Sequence, residues 1–284
     1  MTEFLHEWVV PPEAHGHPYA YIGIAFLALM ITAVSKGGFG GGVGVISIPL
    51  MLQVAPYGFV TGLWLPVLIA CDLATIRTYP KEWSPAAFWQ LTPGMLLGTA
   101  FATWLLSYVD MTGASASFKI QEAWLKLGVA LIAIIFVILQ VWKRKEGDAP
   151  WRPTWLVSIP VGTIAGITTM FAHAAGAIIT MFMLPQKLDP RVFVGTTGRF
   201  FFIFNTMKIP FFIWGLKTLT PQTLKFGVWM MLLGPLGVWF GSWLNKKMNP
   251  TWFVRLMYLF LLVAAGKLAY DWWSALACAP VSEK

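Results

Sequence analysis

Charged residues are scarce in this chain of 284 residues. Asp, Glu, Lys and Arg make up 11% of it, hydrophobic residues make up 57%, and the mean hydropathy is +0.68. Soluble domains usually carry about 25% charged residues. This composition excludes an ordinary soluble globular protein and predicts an all-α polytopic membrane protein.

Cysteine, catalytic motifs and metal-binding motifs are also nearly absent. Cys71 lies in an apolar run and Cys278 near the C-terminus, so we expect no disulfide. His6, His15 and His17 precede the first apolar run and lack the spacing of a metal motif. No apolar run holds a pair of carboxylates, and no Gly-x-Ser-x-Gly sequence occurs. We therefore expect no enzyme activity, no catalytic residue, no metal and no cofactor.

The net charge of +8 does not predict a nucleic-acid partner. The basic residues lie in short loops between apolar runs, whereas a nucleic-acid face would interleave them with aromatic residues. Cytoplasmic loops of membrane proteins are enriched in Lys and Arg. If successive segments alternate in direction, the loops richest in these residues fall on one side. This side is predicted to be cytoplasmic, with both termini outside. No basic, apolar signal peptide precedes the first run.

Apolar runs predict eight spanning helices and two half-helices. A helix needs about 20 residues to cross the hydrocarbon core at 1.5 Å per residue, so shorter runs do not span. The predicted spans are 19–35, 57–78, 85–107, 121–142, 154–172, 191–214, 222–244 and 251–273, and the predicted half-helices are 43–54 and 175–185.

The two halves of the sequence resemble each other. FGGGVGVISIPLMLQVAPYGFVTG aligns with HAAGAIITMFMLPQKLDPRVFVGT, and LGTAFATWL with LGVWFGSWL. We predict two inverted repeats, each a broken, re-entrant half-helix hairpin plus three transmembrane helices. The predicted divisions are the N-terminal segment 1–18, repeat 1 at 19–142, a basic cytoplasmic linker at 143–153, repeat 2 at 154–273 and a tail at 274–284.

A glycine run with one lysine, SKGGFGGGVG, interrupts the first apolar region at 35–44. It fits neither a Walker A nor a dinucleotide-binding pattern. Unpaired backbone inside a membrane must be buried by protein or line a watery cavity. We predict that this break and its counterpart at 168–176 meet near the midplane. The half-helix N-termini near Gly42 and Ala175 would then face a shared anion. The alternative is close helix packing by small residues.

Charged side chains also occur within the predicted spans. Asp72 lies in the second span, and Arg199 and Lys208 lie with Asn205 in the corresponding span of the second repeat. Such residues mark a transport pathway or a structural ion pair. We predict Lys208 as the direct ligand contact, with a structural bridge from Asp72 to a basic residue as the alternative. His173 aligns with Phe39 and is either a core residue or one that binds the anion or carries a proton.

Three segments together resemble the TauE/SafE sulfite exporter family. They are SKGGFGGGVGVISIPLML, LPVLIACDLATIRTYPKEW and VGTTGRFFFIFNTMKIPFF, and the resemblance extends from about residue 20 to 270. It implies export of sulfite, an organosulfonate or a related small anion across the bacterial inner membrane. The second break departs from the glycine-rich form, since Ala174 and Ala175 replace glycines and His173 is added.

Our hypothesis from the sequence is a secondary transporter that works by alternating access. The expected substrate-binding residues are Ser35, Lys36, Gly40, Gly41, Gly42, Thr168, Thr169, His173, Asn205 and Lys208, and those expected to set charge balance or coupling are Asp72, Arg199 and His173. The expected partners are a small anion and lipid, and a homodimer is allowed. The alternatives are an anion channel of the same architecture, a non-transporting scaffold or assembly protein, and a cation carrier that only Asp72 supports.

Overall fold

The computed structural model describes residues 8–14, 17–106 and 150–249, together with part of 251–273. No strand occurs among these residues. The α-helices are α1 Pro18–Phe39, α2 Ser47–Met51, α3 Tyr57–Thr78, α4 Pro85–Leu106, α5 Trp155–Ala172, α6 Ala175–Met183, α7 Pro190–Pro210 and α8 Pro221–Lys247. Turns of 3-10 helix span Gly42–Ile46 and Leu184–Gln186, and a π-helical turn spans Phe211–Gly215.

Three of the described helices, α1, α3 and α8, are long and apolar enough to cross a membrane by length and composition. The prediction of a helical membrane protein is therefore confirmed. Helix α3 has the predicted bounds, and α4, α5 and α8 differ from theirs by three residues or fewer at each end. The predicted span at 121–142, the linker at 143–153 and the tail at 274–284 lie outside the described residues, apart from the last few linker residues.

The first break is shorter than predicted. Helix α1 continues to Phe39, so the predicted end at residue 35 is wrong. Gly37 and Gly38 remain helical because each packs against the backbone of α8. An added Cβ would lie 2.0 Å from the carbonyl oxygen of Val238 and 2.6 Å from that of Gly241, respectively.

The turn itself consists of Gly40 and Gly41, with φ angles of 65° and 84°. Both residues donate their N–H to the carbonyl of Ser35. Left-handed backbone of this kind costs a residue with a side chain about 1–2 kcal/mol. At Gly40 there is also no room, since a Cβ would lie 2.4 Å from the ring of Phe193.

The second break begins with the same left-handed turn, one position away from the predicted alignment, but its next residue, Ala174, has an ordinary φ of −97°. Helix α5 ends at Ala172, and His173 adopts the left-handed conformation with φ 49°. His173 therefore corresponds to Gly40 and not, as predicted, to Phe39. From this position its side chain contacts Lys208, as described below.

The two half-helices differ in form. Helix α6 runs from Ala175 to Met183 and agrees with the prediction. Its counterpart begins as the 3-10 turn Gly42–Ile46 and becomes α-helical only at Ser47. Glycine has low helix propensity, and two of the first three residues of this turn are glycine. The prediction of a regular half-helix at 43–54 is therefore wrong for the first turn of that segment.

Two corresponding helix bounds of the two halves recur at a constant spacing. The ends of α1 and α5, Phe39 and Ala172, are 133 residues apart, and so are the starts of α3 and α7, Tyr57 and Pro190. The packing is reciprocal as well. Helix α4 lies along α5, while α8 lies along α1 and α3. Each half therefore packs its third full-length helix against the first helix of the other half.

Because of this reciprocal packing, the buried core forms two main clusters. One cluster joins α1, α2, α3 and α8, which we call bundle 1. The other joins α4, α5, α6 and α7, which we call bundle 2. The packing of α3 against α7 connects the bundles. Each bundle thus contains helices from both halves of the sequence.

The close approach of α1 and α8 predicts a large effect of a single methyl group. Gly37→Ala should lower the free energy of unfolding by about 1–3 kcal/mol, because the methyl group would overlap the backbone of α8. Gly23→Ala on the same helix is the matched control, since no atom lies within 4 Å of its added Cβ. Denaturant titration in detergent micelles measures both. Equal stability of the two variants would contradict the packing.

Candidate functional site

The two breaks lie against each other, as the sequence predicted. A Cβ built on Gly176, at the start of α6, would lie 2.4 Å from the carbonyl oxygen of Gly41. Neither the 3-10 turn nor α6 has a side chain that caps its N-terminus. The backbone of both breaks therefore meets at one place between bundles 1 and 2.

A partly open cavity lies at this junction. Its atom-free space is about 390 Å³ when the open solvent at its mouth is included, and the enclosed part is much smaller. The side chains and backbone that line it come from α1, α3, α5, α6, α7 and the first break, and they are Thr32, Lys36, Gly41, Gly44, Trp64, Leu68, Thr169, His173, Gly176, Phe201 and Asn205. The wall combines apolar side chains with a few polar groups, as ligand sites do.

Lys36 and Asp72 form a buried ion pair within bundle 1. The Lys36 ammonium donates to Oδ1 of Asp72, and the side chains are 6% and 0% exposed. Asn205 of α7 donates its side-chain N–H to Oδ2 of the same carboxylate at 2.8 Å. The Lys36 ammonium also lies 4.6 Å from the centre of the Phe201 ring. Asp72 thus holds together a cation from its own bundle and an amide from the other.

Lys208 is a second buried cation, with 1% of its surface exposed. Its ammonium donates to the hydroxyl of Thr169 at 3.0 Å and to the Thr169 carbonyl at 3.3 Å. It also lies 3.1 Å from Nδ1 of His173. Among the described residues, Lys208 has no carboxylate within salt-bridge distance. Its direct partners are therefore neutral, in contrast to those of Lys36.

The contact with Lys208 determines which nitrogen of His173 carries the proton. While Lys208 is protonated, its ammonium group only donates, so Nδ1 accepts and the neutral ring carries its hydrogen on Nε2. Nε2 is buried and makes no hydrogen bond of normal geometry. The ring also lies in the cavity wall. The ring also interacts with the backbone of Thr61 on α3, so His173 lies between α3 and Lys208 of α7 at the cavity wall.

The remaining predicted site residues lie beside or away from the cavity wall. Ser35 closes the first break through its carbonyl, and the hydroxyl of Thr168 donates to Ala165 of its own helix. Gly40 and Gly42 form the turn and the start of the 3-10 helix without lining the cavity. Lys208 and Asp72 lie one layer behind the wall, next to residues that form it.

Arg199 lies outside this cluster. Its guanidinium donates to the carbonyls of Gly195 and Pro80 at 2.9 and 2.6 Å and lies over the Trp83 ring. It therefore ties α7 to the loop that joins α3 to α4. The structure does not bring it to Asp72.

Several cavity residues were not identified from the sequence, although a signal for them exists. Thr32 precedes Lys36 by one helical turn, and Phe201 precedes Asn205 by one turn. Trp64 and Leu68 precede Asp72 by two turns and one turn. Residues three or four apart share a helix face, so extending the face of each polar residue by one or two turns would have found them.

These features define a helical membrane protein with a polar cavity between two interrupted helices and with two buried cations beside it. The family model for Sulfite exporter TauE/SafE matches residues 25–268. The chain belongs to this family, which is one of membrane transporters, and the resemblance seen in the sequence is confirmed. No curated protein and no solved structure matches the chain.

The ion pair predicts a characteristic double-mutant cycle. Lys36→Met should lower the free energy of unfolding by about 3–5 kcal/mol, because it leaves the Asp72 carboxylate buried without its counter-ion. Adding Asp72→Asn should recover most of this loss. Denaturant titration of the two single variants and the double variant in detergent measures the coupling. Additive effects of the two substitutions would show that the pair is not formed.

Proposed function

We propose that this protein is a secondary transporter that exports a small oxyanion of the sulfite or organosulfonate type across the bacterial inner membrane. One observation carries the proposal. Lys208 is buried without a carboxylate partner among the described residues, behind a cavity where both helix breaks meet. A buried cation without a counter-ion costs several kcal/mol. A transported anion would supply the missing charge.

The anion would bind in the cavity, in front of Lys208. His173 would donate from Nε2 to the anion in place of its interaction with the Thr61 backbone, and the Lys208 ammonium behind the ring would strengthen this donor. Thr169 and Asn205 would provide neutral polar contacts, and Lys36 would contribute a charge that Asp72 largely compensates. Helix α6 begins at Ala175 without a side-chain cap, so its N-terminal partial positive charge would add to the attraction.

Alternating access would follow from the arrangement of the bundles. The constant spacing and the reciprocal packing support two inverted repeats. Because each bundle contains helices from both halves, we expect bundle 1 to rock against bundle 2, with the Asp72 to Asn205 hydrogen bond at the interface.

Two close backbone contacts at the loops that join one bundle to the other would act as gates. On α3, a Cβ built on Gly62 would lie 1.9 Å from the carbonyl oxygen of Thr218, in the loop before α8. On α7, a Cβ built on Gly195 would lie 1.8 Å from that of Glu82, in the loop before α4. These glycines are 133 residues apart and are equivalent in the two halves. Opening either face of the protein would separate one of these contacts.

The membrane potential is sufficient to drive export. An anion that leaves a cell with a negative interior gains about 2.3 kcal/mol per charge per 100 mV. Uniport therefore suffices, and coupling to protons through His173 or Asp72 would be required only for import or for a steeper gradient. The placement of both termini in the periplasm, on the side with few basic residues, belongs to the same proposal.

Flux measurements on Lys208 variants test the proposal. Proteoliposomes with an imposed potential should show saturable flux of labelled sulfite and counterflow. Lys208→Met should reduce this flux at least about tenfold, since it removes the uncompensated charge. The same variant should unfold no more easily than the wild type, because an unpaired buried cation is itself destabilising. Lys246→Met, at an exposed position near the end of α8, is the matched control and should retain flux.

Other outcomes would favour the alternatives. Flux that does not saturate and shows no counterflow indicates an anion channel with the same site. Absence of flux for any anion in folded wild-type protein indicates a scaffold or assembly role. Flux of equal size in Lys208→Met and wild type would refute the role given to the buried cation.

A further inference from the structure

We propose that the cavity selects monovalent over divalent anions and that Asp72 sets this selectivity. The inference rests on the proposed anion transport and adds the charge of the substrate. Sulfite exists in water as a divalent anion and as a singly protonated, monovalent anion. The protein would then transport the monovalent form. Among organosulfonates, those with a single negative charge would be preferred.

The charges at the site support one excess positive charge. Within the part of the chain that the structure describes, the charged groups that interact at the cluster are Lys36, Asp72 and Lys208. Lys36 and Asp72 are paired and neutralise each other. His173 is neutral when its Nδ1 accepts from Lys208. A single negative charge on the substrate therefore completes the balance, and a second one would have no counter-charge.

Asp72 is well placed to act as a permanent internal anion. Both of its carboxylate oxygens are occupied, one by Lys36 and one by Asn205. Its side chain is fully buried and does not line the cavity, so a substrate cannot reach its position or replace it. Its charge therefore remains next to the bound anion throughout. That charge repels a divalent anion about twice as strongly as a monovalent one.

A comparison of the two halves of the sequence shows why the net charge of the cluster is not zero. Asp72 and Asn205 are equivalent positions, 133 residues apart, and they bond directly to each other. The first half has an acid at this position beside its cation Lys36. The second half has an amide at this position near its cation Lys208. The lysines stand at non-equivalent positions, because Thr169 corresponds to Lys36 and Thr75 to Lys208. Each half therefore holds one cation, and only the first half holds an acid, which leaves one positive charge uncompensated.

The test compares two anions of similar size that differ in charge. Methanesulfonate and sulfate are both tetrahedral at sulfur, but the first is monovalent and the second divalent. The measurement is the uptake of labelled methanesulfonate into proteoliposomes. Unlabelled methanesulfonate and unlabelled sulfate are added in turn as competitors. The wild type should discriminate against sulfate at least about tenfold. Asp72→Asn should reduce this discrimination at least about tenfold, because it frees the charge of Lys36.

A charge-restoring variant separates charge from shape. Asn has nearly the shape of Asp, and its amide oxygen can still accept from Lys36, while the amide of Asn205 can rotate to offer its oxygen. Adding Lys36→Gln to Asp72→Asn returns the excess charge to one. The double variant should therefore regain the discrimination of the wild type. If it has the same selectivity as Asp72→Asn alone, the net charge of the site is not the cause.

A second measurement needs only wild-type protein. Inorganic phosphate changes from a monovalent to a divalent anion at its second pKa. It should compete with methanesulfonate below this pKa and lose competitive strength above it. Competition by unlabelled methanesulfonate, which stays monovalent, is measured at the same pH values. It shows how much of any change is due to an effect of pH on the protein. Phosphate competition that does not follow the monovalent fraction would overturn the inference.

The outcomes distinguish this inference from the proposed function. If folded wild-type protein carries neither methanesulfonate nor sulfite, the proposed anion transport itself is wrong. If methanesulfonate is carried and sulfate competes equally well, anion transport stands and the selectivity is refuted. Unchanged discrimination in Asp72→Asn would refute the role of Asp72.

Discussion

The cost of leaving a charge or a backbone polar group without a partner in hydrocarbon governs this structure. Each broken helix exposes N–H and carbonyl groups that lipid cannot solvate, and each buried lysine needs an acceptor. The fold places both breaks together and surrounds them with polar side chains from both bundles. The polar cluster therefore depends on α3 and α7, which meet at its centre and bring Asp72 and Asn205 into contact.

The two lysines represent two solutions to the same physical problem. Lys36 is neutralised within the protein and is held by its carboxylate. Lys208 has only neutral direct partners among the described residues, so its energy in the empty site stays high. Burial without compensation is a form of preorganisation, because the protein pays for it during folding and not when the anion arrives. A site built in this way gains most from a ligand that carries charge.

Much of the fold could be predicted because its signals are local. Apolar run lengths gave the bounds of α3 to within the residue, glycine content marked the first break, and the resemblance between the two halves marked the second. Other features depend on contacts between segments that are distant in sequence. Gly37 and Gly38 indicated a break, yet they continue the helix because the backbone of α8 packs against them. Lys208 was expected in direct contact with the ligand. It lies behind Thr169 and His173 because their polar atoms satisfy its ammonium, a relationship that spacing along one helix does not reveal.

The exchange of helices between the two halves has a consequence for synthesis. Helix α1 emerges from the ribosome early, but the surface around Gly37 and Gly38 is completed only by α8, which is made near the end of the chain. During insertion, the lysine on that helix is already in the bilayer while much of its surroundings is still missing. The early segments must therefore be held by the insertion machinery or by temporary contacts. Translation speed and the membrane insertase become determinants of yield for a chain of this topology.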